Sequence, residues 1–259
     1  MKGFLQEYGI IMVVVAVVLG MLAFGKTGYA KSIQDAILGS ANHIVETGEN
    51  ITKKKAGDLL KIEGKEYIVI EEKEKDKVLV MLAKDTPSYG FYFDAFNNKV
   101  RPDGQYSNTY ENSDADKYLE NTWYKGLSTK MQSAIQTSNI KQASYYGEKQ
   151  ETGYNGQVYN TISRHVFLPS VEEIKAIVDV NNKEKVKSFL TSSSPHYLSV
   201  WTRDSSQGSP TYVINLTGLN SLYRLSVDSA HYNGLNINPT FVIDLSKVDY
   251  TEVGHVDYK

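Results

Sequence analysis

Arg203 and Asp204 follow Trp201 by two and three residues, and a guanidinium beside a carboxylate has two uses. It can receive an acidic ligand group in a cleft, or it can fasten a strand beside a buried indole as an ion pair. Asp114 and Asp116 could begin a cation site, but no neighbouring oxygen donors complete a six- to eight-ligand shell, and a helix cap accounts for both. His43, His165, His196, His231 and His255 are scattered without metal-ligand spacing. Gly153-Tyr154-Asn155-Gly156 lacks the Lys-Ser/Thr pair and the strand-to-helix setting of a phosphate loop, so it reads as a turn. From these residues we expect no catalytic group, no metal site and no cofactor.

The remaining chemical signal is tyrosine, with 19 in the chain against 2 tryptophans and 8 phenylalanines. Tyrosine offers contact area, a polar tip and few torsions to freeze, which suits recognition surfaces. Tyr89, Tyr92, Tyr154, Tyr159 and Tyr232 fall in expected loops and, with Trp201 and Arg203, are the candidate binding residues. The alternative is that these tyrosines pack long loops onto a sheet; in a filament they would also serve contacts between heads. A net charge of −2 argues against a nucleic-acid partner.

The elements that must position these groups fall into two parts. Residues 8–25 are an uncharged, almost wholly apolar run. As a helix at ~1.5 Å per residue it would reach about 27 Å, enough for a bilayer core. Ile33, Ile37, Ala41, Ile44 and Val45 continue at helical spacing, so residues 1–47 are expected to form one long helix, apolar and then amphipathic. A cleaved signal peptide ending at Gly28-Tyr29-Ala30 is the competing reading. Gly48, Asn50 and Lys53-Lys54-Lys55 mark residues 48–55 as a linker, and residues 56–259 have the size of one domain.

In that domain Leu59, Ile62 and Tyr67 to Ile70 lead through a charged turn, Glu71 to Lys77, into Val78 to Leu82, a hairpin pattern. Ser113 and Ser128 are helix N-caps, and Ser170-Val171-Glu172-Glu173 is a capping box. Short strands are expected at 197–201, 211–216, 222–225 and 240–244. Helices in the middle with strands at both ends imply an α+β fold.

Glu7-Tyr8-Gly9-Ile10-Ile11 resembles the opening of bacterial pilins, especially the Tad-type group, in which a Glu-Tyr pair begins the hydrophobic helix. The resemblance implies that Glu7 and Tyr8 act in assembly, with the helix packed in the membrane or in a filament core among identical subunits. One departure stands out: from Gly3, Glu7 falls at the fourth mature position instead of the pilins' usual fifth.

Residues 56–259 are similar to an uncharacterised domain common in surface proteins of Firmicutes, through Gly57-Asp58 to Ile62, Tyr118-Leu119 to Trp123-Tyr124, Phe167-Leu168-Pro169-Ser170, Trp201-Thr202-Arg203 and Asn238-Pro239 to Leu245. The second half resembles, more remotely, the C-type-lectin-like fold shared with formylglycine-generating enzymes and bacterial variable receptors. That family's late Arg-Pro phrase is replaced by Asn238-Pro239, its enzymes' cysteines are absent, and the Glu-Pro-Asn or Gln-Pro-Asp and Trp-Asn-Asp strings of calcium-dependent lectins do not occur. Together the resemblances imply a long hydrophobic helix carrying a C-type-lectin-like head. The implied protein is non-enzymatic and pilin-like, with its head exposed outside a Gram-positive cell on the membrane or a surface filament. The alternative is a monomeric membrane-anchored receptor or adhesin that binds a glycan or peptide.

Overall fold

A computed structural model of the chain describes residues 53–84, 91–96, 98–145, 157–193, 199–206, 209, 211–218, 223–233 and 235–259. The apolar run, Glu7 and Tyr8 lie outside the described residues, as do Tyr89 and Tyr154. Chain contacts gather Lys54–Lys259 into one unit. Lys55 N–H is held by Asp58 Oδ2 at 2.7 Å, so this unit begins among the lysines.

The unit is built on antiparallel strands. β1 (Asp58–Ile62), β2 (Lys65–Glu74) and β3 (Lys77–Leu82) form a meander. With β4 (Ile135–Gln136), β10 (Thr240–Asp244) and β11 (Tyr250–His255) they make a six-stranded sheet in the order β11-β1-β2-β3-β10-β4. Tyr67 to Ile70 and Val78 to Leu82 are buried without alternation, as expected of central strands covered on both faces. β2 runs on to Glu74 where a charged turn from Glu71 was expected. Cross-strand pairing with Lys77 to Leu79 carries the charged residues through two bulges.

β5 (Ser138–Tyr145) and β6 (Gln157–Arg164) pair as a two-stranded ribbon. β7 (Ser199–Ser205), β8 (Tyr212–Thr217) and β9 (Arg224–Ser229) form a three-stranded sheet in that order.

Helices are short. α1 (Asp114–Tyr118) starts where the Ser113 side chain accepts the Asp116 N–H, and it passes into a π turn, Leu119–Trp123. α2 (Thr129–Ala134) is capped by Ser128. α3 (Val171–Ile177) opens on a complete capping box, Ser170 with Glu173. α4 (Lys183–Ser193) buries Val186, Phe189 and Leu190.

The expected fold class is therefore corrected. In place of an α+β head behind a long hydrophobic helix, the described residues form a mostly β domain with a few short helices. Among them no helix is long and apolar enough to cross a membrane. Strands also occupy the middle of the sequence, because β4, β5 and β6 find partners far from their own neighbours in the chain or across a long connection.

Candidate binding site

Two stretches singled out in the sequence, Phe167 to Ser170 and Trp201 to Arg203, meet at one point. Arg203 N–H donates to Pro169 O at 3.0 Å, which lays β7 beside the entry to α3. The Arg203 guanidinium, 5% exposed as a residue, forks onto Glu173, with Nη1 to Oε2 at 2.6 Å and Nη2 to Oε1 at 2.8 Å. Nη1 also donates to Leu168 O at 2.7 Å and Nε to Lys141 O at 3.0 Å. The guanidinium lies 5.2 Å from the centre of the Phe167 ring. Burial works against the Arg203 charge, but Glu173 outweighs it and holds the pKa above the ordinary arginine value. Glu173 serves twice, since its Oε2 also accepts the Ser170 N–H at 2.8 Å. One carboxylate thus caps α3 and neutralises β7.

The partner of Arg203 is Glu173, and sequence adjacency had pointed to Asp204. Asp204 accepts the Val171 N–H through Oδ2 at 2.6 Å, at the positive end of α3. Burial pushes its carboxyl above the usual aspartate range.

Both residues border a cleft of about 1100 Å³. Its lining includes Ile214 of β8, Leu225 and Val227 of β9, the start of β5 at Ser138 to Lys141, and the first turn of α3. Ile214 stands directly opposite Val227 in the ladder, so the two side chains share one sheet face. Val227 is 45% exposed. Of the cations lining the cleft, Lys175 pairs with Glu172 and Lys73 with Glu71. Lys141 and Arg224 are exposed and form no ion pair among the described residues.

The other candidates separate into buried and exposed groups. Trp201 is buried, its Nε1 donates to Phe91 O at 3.0 Å, and it meets Phe93 edge-on with centroids 5.9 Å apart, so it is part of the core. Tyr92 and Tyr232 are 37% and 41% exposed. They sit on adjoining segments joined by Phe91 N–H to Leu235 O at 3.1 Å and Asp94 N–H to Ala230 O at 2.9 Å. Tyr159 belongs to β6 and not to a loop. Asp116 receives Arg164 at 2.7 Å through both Nε and Nη2, and Asp114 accepts Ala95 N–H at 2.9 Å, so both carboxylates brace α1.

Folding also assembles a chain of groups that no local pattern announced. Glu120 Oε1 lies 2.5 Å from His165 Nδ1, and His165 Nε2 lies 3.1 Å from Thr137 Oγ1. Tyr124 stacks on the imidazole with centroids 4.4 Å apart. An acid, an imidazole and a hydroxyl in series can activate the hydroxyl. Here Glu120 Oε2 also accepts the backbone N–H of His165 at 3.0 Å and of Val166 at 3.3 Å, which ties the chain after β6 to the π turn.

A family model described as a domain of unknown function (DUF6273) matches residues 75–244. The chain belongs to that family. No curated protein and no solved structure matches it. The family span runs from the β2–β3 turn to the end of β10. It contains Arg203, Glu173, Asp204 and the apolar lining of the cleft, and leaves β1, β2 and β11 outside.

Proposed function

We propose that this protein is a non-catalytic recognition protein of the cell surface, carried on the membrane or in a surface filament, and that it holds a glycan or peptide in the cleft beside Arg203. The observation that carries the reading is the cleft itself. Half-buried Ile214 and Leu225 and exposed Val227 line a concavity whose neighbouring polar groups are fixed by the Arg203–Glu173 bond. Apolar lining with a few rigid polar groups is the usual make-up of a ligand site. Display at the surface rests on the apolar composition of residues 8–25 and on Glu7-Tyr8.

The test is to probe glycan and peptide arrays with the purified protein and with Ile214→Arg, which puts a charged chain into the cleft. Binding by the parent and its loss in the variant, with an unchanged unfolding transition, is the expected result. A parent that retains nothing from either array, or a variant that binds as well as the parent, defeats the reading.

A further inference from the structure

We propose that the ligand is an extended acidic peptide that adds to the free edge of β9 as a fourth strand of the β7-β8-β9 sheet. This inference deepens the cleft reading and rests on it.

β9 is the outer strand. The direction of its backbone groups follows from the ladder. Ala230 N–H donates to Thr211 O at 2.8 Å, so the pair that continues the register beyond Tyr212 and Ser229 is a hydrogen-bonded one. Bonded and non-bonded pairs alternate in antiparallel sheets, so Arg224, Ser226 and Asp228 turn their peptide groups toward β8. The alternate residues, Leu225 and Val227, turn theirs outward. Tyr212 agrees: standing opposite Ser229, it directs its own C=O to Ser206 N–H at 2.8 Å, away from β9. Among the described residues nothing pairs with the outward N–H and C=O of Leu225 and Val227.

Free edges are ordinarily blunted by lysine, proline or a bulge. β9 reads Arg-Leu-Ser-Val-Asp-Ser, and its register against β8 is unbroken. The side chains of Leu225 and Val227 line the cleft, so an added strand would place alternate residues over that lining.

Charge selects the peptide. Lys141 and Arg224 line the same cleft without ion pairs among the described residues, and Lys183 lies at the Tyr223 ring, 5.9 Å away, beside the start of β9. The nearby carboxylates are engaged: Glu173 by Arg203, Glu172 by Lys175, Asp204 by Val171 N–H, and Asp228 by the Asn215 amide at 2.9 Å.

The test uses the full-length protein and fluorescein-labelled ten-residue peptides that alternate valine with glutamate or valine with lysine. A third peptide is the glutamate version N-methylated at alternate residues, which removes strand donors and leaves the side chains in place. The glutamate peptide is expected to bind, with the lysine and N-methylated peptides about tenfold weaker or worse. Val227→Pro, which deletes an outward donor and spares the β8 ladder, is expected to weaken binding similarly with an unchanged unfolding transition. Equal binding of the N-methylated or the lysine peptide overturns the inference, as does no binding of the glutamate peptide. If binding is indifferent to N-methylation but abolished by Ile214→Arg, the cleft reading stands and the edge inference falls. Dimerisation in sedimentation runs that disappears in Val227→Pro assigns the edge to a second copy and also overturns it.

Discussion

Glu173→Ala is the perturbation with the largest expected consequence. It leaves Arg203, 5% exposed, without its counter-charge, and it removes half of the capping box of α3. Breaking one side of a buried ion pair costs about 3–5 kcal/mol. The Glu173 side chain keeps 18% exposure, so solvent screening places the pair near the lower end, at about 3 kcal/mol. Loss of the reciprocal bond from Ser170 N–H adds about 1 kcal/mol. The sum, about 4 kcal/mol, lowers the melting temperature by about 8–16 °C for a domain of this size. Arg203→Met should cost less, about 2 kcal/mol, because the freed Glu173 carboxylate is 18% exposed, can take up water and still accepts the Ser170 N–H, while the Leu168 and Lys141 carbonyls each lose a donor. In the double variant the stranded charge is gone, so the two costs should fall short of additivity by about 2 kcal/mol. Denaturant unfolding followed by tryptophan fluorescence reads this directly, since Trp201 is packed against Phe93 in the core. Glu172→Ala, which breaks the exposed pair with Lys175, is the control and should cost about 0.5 kcal/mol. A Glu173→Ala cost equal to that control, or strict additivity with Arg203→Met, refutes the reasoning.

Two further predictions concern stability. Burial raises the Asp204 pKa, so the folded state binds this proton more tightly than the unfolded chain. The Asp204 contribution therefore weakens stability as pH rises through the raised folded value, and the loss is recovered as pH falls toward the unfolded value near ~3.9. Melting temperatures of Asp204→Asn and the parent across that window should show the variant-minus-parent difference becoming more negative on acidification; a flat difference contradicts the assignment. Gly57 has φ +95° and would aim a Cβ into the Val256 carbonyl, where β1 meets the end of β11. Gly57→Ala should cost more than about 1 kcal/mol and speed amide exchange in β1 and β11; unchanged exchange there contradicts the account.

The local punctuation of this fold was legible before any tertiary contact was known. Ser113, Ser128 and Ser170 cap helices because each cap is a bond to a backbone N–H three residues away, and any chain with that spacing can make it. The runs Tyr67 to Ile70 and Val78 to Leu82 announced strands because β-branched and aromatic side chains suit a pleated, covered surface. The remaining features depend on which segments folding brings together. Arg203 passes over the carboxylate next to it for one 30 residues earlier, since β7 and α3 approach so that Glu173, and not Asp204, faces the guanidinium. β11 closes on β1, and β4 on β10, through pairings whose energy depends on distant chain segments meeting in register. Whether β9 ends its sheet is likewise written in no residue of β9, because an edge is defined by the neighbour a strand lacks.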